Sequence, residues 1–214
     1  MRSLRQSRIY VLAGVNGAGK SSVGGAALRE SGGNYYNADE ATRLLFRANP
    51  RLTQAEANSV AWHKGVALLE RAIDKRLDYA FETTLGGNTI TRLLSRAALQ
   101  GIEIYVWYVG LSSSLLHIER VRERVGRGGH DVPAEFIRRR YERSRLNLIE
   151  LMPLITALRV FDNSADEDPS VGGTPTPVLA LDIEYGRILN RRELARTPDW
   201  AKPIVAAALK LYPV

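Results

Sequence analysis

The chain has 214 residues, of which 45% are hydrophobic and 25% are charged, and this is enough for one α/β domain with its own core. It has no cysteine, which excludes disulfides and thiolate chemistry and fits a reducing compartment. No apolar run approaches the ~20 residues of a membrane span, and the basic N-terminus lacks the apolar core of a signal peptide, so we expect a cytoplasmic protein without a membrane partner.

The first predicted strand, residues 9–13, leads directly into a phosphate-binding motif. From Gly14 to Ser21 the sequence fits G-x-x-x-x-G-K-S, and a helix of small residues is predicted after it at residues 22–29. In such a loop the backbone N–H groups and the helix N-terminus bind phosphate oxygens. Lys20 would contact the β- and γ-phosphates of ATP or GTP, and the Ser21 hydroxyl would ligate Mg²⁺.

We name residues 14–21 the P-loop. Its alternative is a chance glycine-rich turn, which is disfavoured because the chain has 5 Lys against 25 Arg and one of the five occupies the required position. The residues expected to contact the nucleotide are Gly14, Val15, Asn16, Gly17, Ala18, Gly19, Lys20, Ser21 and Ser22.

The rest of the chain alternates between strand-like and helical patterns. Strands are predicted at residues 35–37, 79–82, 102–109 and 158–161, and helices at residues 40–47, 53–77 and 133–152. Thr53 and Glu56 form a capping box, and Pro133 suits the first turn of a helix. The alternation predicts an α/β fold of three layers, a mainly parallel central sheet with helices on both faces, as in P-loop NTPases and kinases.

The C-terminal part is predicted to add a hairpin and a helix. A loop covers residues 163–177, strands at residues 178–184 and 187–189 flank Tyr185-Gly186, and a closing helix covers residues 200–211. We expect residues 1–214 to form a single P-loop kinase-like domain, with an arginine-rich lid around residues 120–145 and the hairpin and helix at residues 178–214.

The P-loop, the segment around Asp39 and the segment Glu82-Thr83-Thr84 stand at the ends of three predicted strands. Sheets of this class bind their ligands at that end, so we expect all three to face one crevice. A kinase needs a group near the γ-phosphate that orients the acceptor hydroxyl and takes its proton, and Asp39 is placed for this role. Asp39 also precedes a helical pattern, so its position fits an N-cap equally well. Both roles can coexist in this segment if Asn37 is the cap.

Glu82 ends the apolar strand at residues 79–81, where a carboxylate is costly unless it is paired, exposed or bound to a ligand. It could hold the acceptor or a water bound to Mg²⁺, and Thr83 and Thr84 could hydrogen-bond a sugar or a phosphate. The alternative is a solvated strand end followed by a threonine that caps the next helix. No predicted strand ends in the apolar run plus aspartate that is typical of a Walker B motif, so we expect Ser21, phosphates and water to hold the metal.

Arg120, Arg124 and Arg127 are spaced to share one face of a helix, and glycines stand at positions 126, 128 and 129. Arginines beside a glycine hinge are typical of a lid that excludes water and places guanidinium groups on the transferred phosphoryl group. The alternative is an exposed pair of helices whose arginines form salt bridges with glutamates. His130 could bind a phosphate of the substrate or cap the next helix.

The net charge of +7 could indicate nucleic-acid binding. Nine arginines fall at positions 120–145, but acidic residues are interleaved with them and few aromatic residues accompany them. A stacking platform for nucleic acid needs aromatic residues, and anionic small molecules explain an arginine cluster equally well. We therefore expect a small-molecule acceptor rather than nucleic acid, and we expect Trp62, His63 and Trp107 to serve in packing.

The order of these motifs resembles the zeta-toxin family, P-loop kinases of bacterial toxin–antitoxin systems, and especially its compact branch of predicted ATPases. The resemblance covers about residues 8–164. It rests on Ala-Gly-Val-Asn-Gly-Ala-Gly-Lys-Ser at 13–21, Asn-Ala-Asp-Glu at 37–40, Phe-Glu-Thr-Thr-Leu at 81–85, Arg-Val-x-x-Gly-Gly-His-Asp-Val-Pro at 124–133, Ile137 to Tyr141 and Phe-Asp-Asn-Ser at 161–164. The strand end and the glycine–histidine lid are more specific to the family than the P-loop.

The resemblance implies transfer of the γ-phosphate of ATP or GTP to the N-acetylglucosamine hydroxyl of UDP-N-acetylglucosamine, which starves peptidoglycan synthesis. It also implies that Lys20 and Ser21 bind phosphate and metal, that Asp39 is the base, and that Glu82 and Thr83 hold the acceptor sugar. Arginines of the 120–127 group would form the lid. The chain departs from the better-known members because Thr83 follows Glu82 directly, where they place a glycine between.

Three functions remain open at this point. The first is a phosphotransferase with an alcohol acceptor, a UDP-amino sugar kinase that acts as a toxin and whose antitoxin would be a separate chain. The second is a kinase of another small metabolite or an antibiotic, which would share the nucleotide side and differ in its acceptor pocket. The third is a nucleotide-dependent switch that binds a protein or nucleic acid, and it predicts salt-sensitive nucleic-acid binding.

Overall fold

The computed structural model describes residues 6–25, 35–49, 51–129, 131–165 and 176–213. Three predicted features lie wholly or partly outside these residues: His130, the end of the helix at residues 22–29, and most of the loop at residues 163–177. Within the described ranges, no helix is both long enough and apolar enough to cross a membrane.

The described strands form one seven-stranded sheet with the order β2-β3-β1-β4-β5-β6-β7. Their bounds are β1 (Arg8–Ala13), β2 (Tyr35–Tyr36), β3 (Tyr79–Thr83), β4 (Glu103–Gly110), β5 (Ala157–Asp162), β6 (Val178–Glu184) and β7 (Arg187–Arg191). The first five strands pair in parallel, so their carboxyl ends meet at one edge of the sheet. The last two strands form an antiparallel hairpin that extends the sheet beyond β5.

Helices lie between and around these strands. Their bounds are α1 (Ser21–Gly25), α2 (Ala38–Ala48), α3 (Gln54–Asp74), α4 (Asn88–Leu99), α5 (Ser114–Gly126), α6 (Ala134–Leu151) and α7 (Lys202–Leu211). Short 3₁₀ turns follow at Met152–Leu154 and Leu194–Arg196. The described part of α1 has π-helical geometry and begins directly at the P-loop.

The main core lies between one face of the sheet and helices α3, α4, α6 and α7. Alternate strand residues such as Val11 and Val106 point into this core, as expected for the two-residue period of a strand. On the other face a smaller cluster around Leu12 and Val109 packs against Val23 of α1. The α/β fold with a mainly parallel sheet and helices on both faces is therefore confirmed.

Within the described ranges the predicted elements are present, and several differences at their ends have local causes. The second strand is one residue shorter than predicted because Asn37 is the N-cap of α2. The capping box of Thr53 and Glu56 is formed at the start of α3. Pro133 precedes α6 as its N-cap instead of lying in its first turn, and the C-terminal hairpin and closing helix are both formed.

Candidate active site

The P-loop turns sharply between β1 and α1, in the strand–loop–helix arrangement that the sequence predicts. Gly14 has a φ of +141° and Gly17 a φ of +84°, which favour glycine. Neither position has room for a side chain. A Cβ on Gly14 would collide with the Val109 carbonyl, and one on Gly17 would lie 2.6 Å from the His117 carbonyl oxygen. These glycines therefore let the loop backbone pack directly against β4 and α5.

Side chains from two helices hold Asn16 of the P-loop in place. Buried His117 of α5 donates from Nδ1 to the Asn16 backbone oxygen at 2.9 Å, and Nη1 of Arg140 in α6 donates to Asn16 Oδ1 at 2.8 Å. Burial lowers the pKa of Arg140, and the negative charge of Asp39 opposes that shift. The position of the P-loop therefore depends on both helices.

The burial of His117 leads to a prediction about how the stability of the protein depends on pH. Burial lowers its pKa from 6.5 to about 4, against the opposing effect of its hydrogen bond to Asn16. Below about pH 6.5 the unfolded chain binds a proton at this side chain while the folded chain does not, so stability falls as the pH is lowered toward 4. At about pH 5 the loss should be about 2 kcal/mol relative to neutral pH.

Urea unfolding of the wild-type chain and of His117→Gln at both pH values measures this loss. Glutamine can still donate to the Asn16 carbonyl but does not titrate, so the variant should lose less stability between the two pH values than the wild type. Equal losses in the two proteins would show that His117 does not carry the effect.

Lys20 pairs with Glu82 at the centre of the site. The distance from Lys20 Nζ to Glu82 Oε1 is 3.3 Å, and Nζ also donates to the Val15 carbonyl at 3.4 Å. The two charged side chains are only 7% and 11% exposed. Glu82 Oε2 accepts further hydrogen bonds from Tyr35 Oη at 3.0 Å and Asn37 Nδ2 at 2.9 Å. The solvated strand end considered for Glu82 is therefore wrong, because the carboxylate is buried among donors.

Thr83 and Thr84 stabilise a turn and do not cap a helix. Thr83 Oγ1 accepts a hydrogen bond from the Leu85 backbone N–H at 3.0 Å, and Thr84 Oγ1 accepts one from the Gly86 N–H at 3.4 Å. The N-cap of α4 is Gly87, so the helix-capping alternative for these threonines is wrong. Both side chains line the same cavity as Glu82.

Asp39 lies in the first turn of α2. The N-cap is Asn37, whose Oδ1 accepts from the backbone N–H groups of Asp39 at 2.8 Å and Glu40 at 3.2 Å. The capping alternative for Asp39 is therefore wrong. Its carboxylate instead forms an ion pair with Arg124, with 3.5 Å between Asp39 Oδ2 and Arg124 Nη1 and both side chains 37% exposed.

The three arginines proposed for the lid have different surroundings. Arg124 reaches Asp39, whereas Arg120 turns to the segment after β5 and donates to the carbonyls of Asn163 at 2.8 Å and Ala165 at 3.1 Å. Arg127 follows the last residue of α5 and is exposed. The structure brings one of the three, Arg124, to the cavity carboxylate Asp39.

A cavity of about 610 Å³ opens at the carboxyl ends of β1, β2 and β3. The polar residues that line it at these strand ends include Asn16, Lys20, Asn37, Asp39, Glu82, Thr83 and Thr84. The sequence predicts one crevice at three strand ends, and the structure confirms it.

This cavity has an aromatic and basic wall that we did not predict from the sequence. Trp62 of α3, which we expected to serve in packing, packs edge-on against His63 with 4.9 Å between ring centroids, and it is also 44% exposed and lines the cavity. Phe136 and Arg139 of α6 also line it, with the Arg139 guanidinium carbon 5.2 Å from the Phe136 ring centroid. A signal was available, because Asn58 and Ser59, one helical turn before Trp62, are polar and place that side of α3 outside the core.

Ser21 supplies the oxygen expected to bind a metal. Its hydroxyl group is exposed and lies 3.5 Å from Glu82 Oε2. Mg²⁺ takes oxygen ligands and is held at nucleotide sites by one or two protein groups together with phosphates and water. The donor atoms at this position therefore fit Mg²⁺. Ser22 lies in the described part of α1, next to Ser21.

The parallel sheet, the P-loop and the polar strand ends around one cavity define a protein with the fold of the P-loop kinases. A family model described as Zeta toxin matches residues 2–166. The chain belongs to this family. A curated relative, an uncharacterized protein of Haemophilus influenzae (strain ATCC 51907 / DSM 11121 / KW20 / Rd), is 26% identical over 136 residues, which are 64% of this chain and 94% of the relative.

Solved structures share the fold at low sequence identity. A chain of the AvrRxo1-ORF1:-ORF2 complex has a TM-score of 0.68 at 13% identity, over 96% of this chain and 71% of that chain. A chain of the AvrRxo1-ORF1:-ORF2 structure with ATP has a TM-score of 0.65 at 15% identity, over 95% of this chain. This chain spans only 64% of that chain's length.

A third solved structure comes from the PezAT chromosomal toxin–antitoxin system of Streptococcus pneumoniae. One of its chains has a TM-score of 0.52 at 15% identity, over 81% of this chain and 75% of that chain. At these identities the likeness to the solved structures shows a shared fold.

Proposed function

We propose that this protein is a phosphotransferase that moves the γ-phosphoryl group of ATP or GTP to an alcohol group of a UDP-amino sugar such as UDP-N-acetylglucosamine. One observation carries the proposal: Lys20 of the P-loop lines the same cavity as Asp39, Glu82 and Thr83. A phosphate donor and a hydroxyl acceptor can therefore meet there. Membership of the Zeta toxin family supports a role as the toxin of a toxin–antitoxin system.

The nucleotide side of the proposed reaction belongs to the P-loop and Lys20. The P-loop backbone and the start of α1 would bind the phosphates, and the Lys20 ammonium would neutralise charge on the transferred group. Ser21 would hold Mg²⁺, which when bound neutralises phosphate charge. A neighbour of the same fold was solved with ATP, and this supports ATP as the donor.

The acceptor side of the proposed reaction belongs to Asp39. The acceptor hydroxyl oxygen forms a bond to the γ-phosphorus while the bond between that phosphorus and the ADP oxygen breaks, and the hydroxyl proton passes to the Asp39 carboxylate. Asp39 fits this role because it lines the cavity, its carboxylate is partly solvated, and Arg124 holds it in place. Arg124 is thereby placed to stabilise charge on the transferred group.

The cavity is large enough for an acceptor bigger than a simple sugar. Its volume of about 610 Å³ lies in the usual range for small-molecule sites. Trp62 and Phe136 offer aromatic faces, and Arg139 and Arg140 offer positive charge. A nucleotide sugar carries a planar base and a diphosphate, and these two groups match the aromatic and basic walls.

Replacing Trp62 by alanine is expected to raise the KM for the acceptor about tenfold, because stacking of a base on an aromatic side chain contributes about 1–3 kcal/mol. The kcat and the KM for ATP should stay close to wild type, since Trp62 lies outside the P-loop. Steady-state kinetics with each substrate varied in turn separates these constants. Leu189→Ala removes an exposed apolar side chain of β7, remote in sequence, and is the control. An unchanged acceptor KM in Trp62→Ala would remove Trp62 from the acceptor site.

An acceptor panel tests the proposed function. Purified protein is incubated with Mg·ATP and, in turn, UDP-N-acetylglucosamine, a free sugar, a nucleoside and an aminoglycoside, and products are read by mass spectrometry. We expect a singly phosphorylated product from the nucleotide sugar. A phosphorylated product from another member of the panel would change the proposed acceptor and support the proposed kinase activity. Binding of nucleic acid without any phosphorylated small molecule would favour a nucleotide-dependent switch.

A separate antitoxin chain is the partner that we propose. It is supported by the family and by the neighbours of the same fold, which come from an ORF1:ORF2 complex and from a toxin–antitoxin system. Growth of cells that express the chain tests the proposed toxicity. Toxicity that is lost in Asp39→Asn would link it to phosphoryl transfer.

A further inference from the structure

We infer that Trp200 is a positioning residue for the P-loop and acts on it through Asp162 and Asn163. Trp200 belongs to the C-terminal part of the chain, beyond residues 2–166 that the family model matches. The inference rests on the proposed function, since it assigns this C-terminal segment a part in nucleotide binding.

Trp200 is fixed at the carboxyl end of the sheet. It is only 3% exposed, and its six-membered ring lies against Gly110 at the end of β4, where a Cβ atom would collide with it. Its ring centroid is 6.2 Å from that of Tyr108. The indole Nε1–H donates to Asp162 Oδ1 at the end of β5, at 3.0 Å. The indole group thus joins the ends of two neighbouring strands.

Asp162 connects Trp200 to the turn that follows β5. The same Oδ1 that accepts from Trp200 also accepts from the Ser164 backbone N–H at 3.3 Å and from the Ser164 hydroxyl. Asn163, between them, donates its backbone N–H to the Gly110 carbonyl at 3.0 Å. One carboxylate oxygen therefore sets the conformation of the turn on both sides of Asn163.

Asn163 then contacts the P-loop directly. Its Nδ2 donates to the Ala18 carbonyl at 3.0 Å, and the same atom occupies the space that a Cβ on Gly19 would need. The Asn163 carbonyl accepts from Arg120, which fixes the turn to α5 as well. Ala18 and Gly19 directly precede Lys20, so the position of Asn163 sets the backbone that would bind the phosphates.

A nucleotide site loses affinity when its donors are no longer held in place. Replacing Trp200 by phenylalanine keeps an aromatic ring and removes the Nε1–H donor, and Asp162→Asn weakens the same hydrogen bond while the indole stays packed. We expect each change to weaken binding of the ATP analogue adenylyl imidodiphosphate with Mg²⁺ about three- to tenfold, or about 0.7–1.4 kcal/mol, because the turn that holds the P-loop loses one of its hydrogen bonds. Asn163→Ala, which removes the contact with Ala18, should weaken binding to at least the same degree.

Isothermal titration of the full chain gives the dissociation constant of the analogue without any acceptor. Non-additivity is the decisive readout: if Trp200 acts through Asn163, the double variant Trp200→Phe/Asn163→Ala should bind no more weakly than Asn163→Ala alone. If the two substitutions only destabilised the fold, the melting temperature would fall and their effects on the dissociation constant would multiply. Tyr212→Phe is the matched control, because it removes another aromatic hydrogen-bond donor of the C-terminal segment, the Tyr212 hydroxyl that donates to the Met152 carbonyl at 3.1 Å.

Wild-type affinity in Asp162→Asn, or multiplying effects in the double variant, would overturn the inference and leave the proposed function standing. Asp162→Asn keeps the test decisive if Trp200→Phe does not fold. A wild-type chain that does not bind the analogue would instead overturn the proposed function, and the inference with it.

Discussion

Replacement of Asp39 by asparagine is expected to lower the kcat for phosphoryl transfer about a thousandfold while the ATP analogue still binds. Asparagine keeps the size of the side chain and cannot take the proton of the acceptor hydroxyl, and a positioned base contributes about 10²–10⁴-fold. The α2 cap is unaffected, because Asn37 supplies it. Initial rates and titration with adenylyl imidodiphosphate measure the two quantities separately.

Asp131→Asn is the matched control for this change. Asp131 lines the same cavity, and its Oδ1 accepts a hydrogen bond from the Val132 N–H at 2.8 Å, which asparagine can also accept. The control should keep most of its turnover. More than about a tenth of wild-type turnover in Asp39→Asn would contradict the role of Asp39 as the base. Loss of nucleotide binding would instead point to a structural role for Asp39.

Replacement of Lys20 by alanine should abolish turnover and weaken ATP binding. The P-loop lysine neutralises charge on the β- and γ-phosphates, and no other described cation lines the cavity from the P-loop itself. The change also leaves the buried Glu82 carboxylate without its ammonium partner, which costs about 3–5 kcal/mol when a buried pair is broken. We therefore expect the melting temperature to fall together with the rate.

A second substitution separates these two effects. In the double variant Lys20→Ala/Glu82→Gln the unpaired charge is removed, so much of the stability should return while turnover stays lost. Lys64→Ala, which removes an exposed lysine of α3, is the surface control. A Lys20→Ala protein that is folded and keeps more than about a tenth of the wild-type rate would contradict the assignment of the P-loop.

The nucleotide side of the site could be predicted from the sequence because it is encoded locally. A strand, a glycine-rich loop and a helix follow each other along the chain, and the lysine stands within the motif. The crevice was predictable for a related reason: parallel strands end at one edge, so polar residues after β2 and β3 must meet the P-loop there. Neither prediction needed knowledge of distant contacts.

The roles of individual polar residues were harder to predict because distant partners set them. Whether Asp39 or Asn37 caps α2 depends on backbone geometry, and the sequence permitted both. Glu82 is buried because Lys20, Tyr35 and Asn37 surround it, and these residues lie 45 or more positions away along the chain.

The surroundings of the arginines and of Trp62 were hard to predict for the same reason. Helical spacing places Arg120 and Arg124 near each other, but one turns to the segment after β5 and the other to Asp39. Trp62 was expected in packing and does contact His63, but the orientation of α3 also places it at the cavity. Such choices depend on tertiary structure, which spacing along one helix does not contain.

The most direct test of the central claim is mass spectrometry of UDP-N-acetylglucosamine after incubation with the purified chain and Mg·ATP. The account predicts one added phosphoryl group on the sugar nucleotide, an equal amount of ADP, and loss of both in Asp39→Asn. If neither ADP nor any phosphorylated acceptor forms while the protein is folded, the chain is not the kinase proposed for this site.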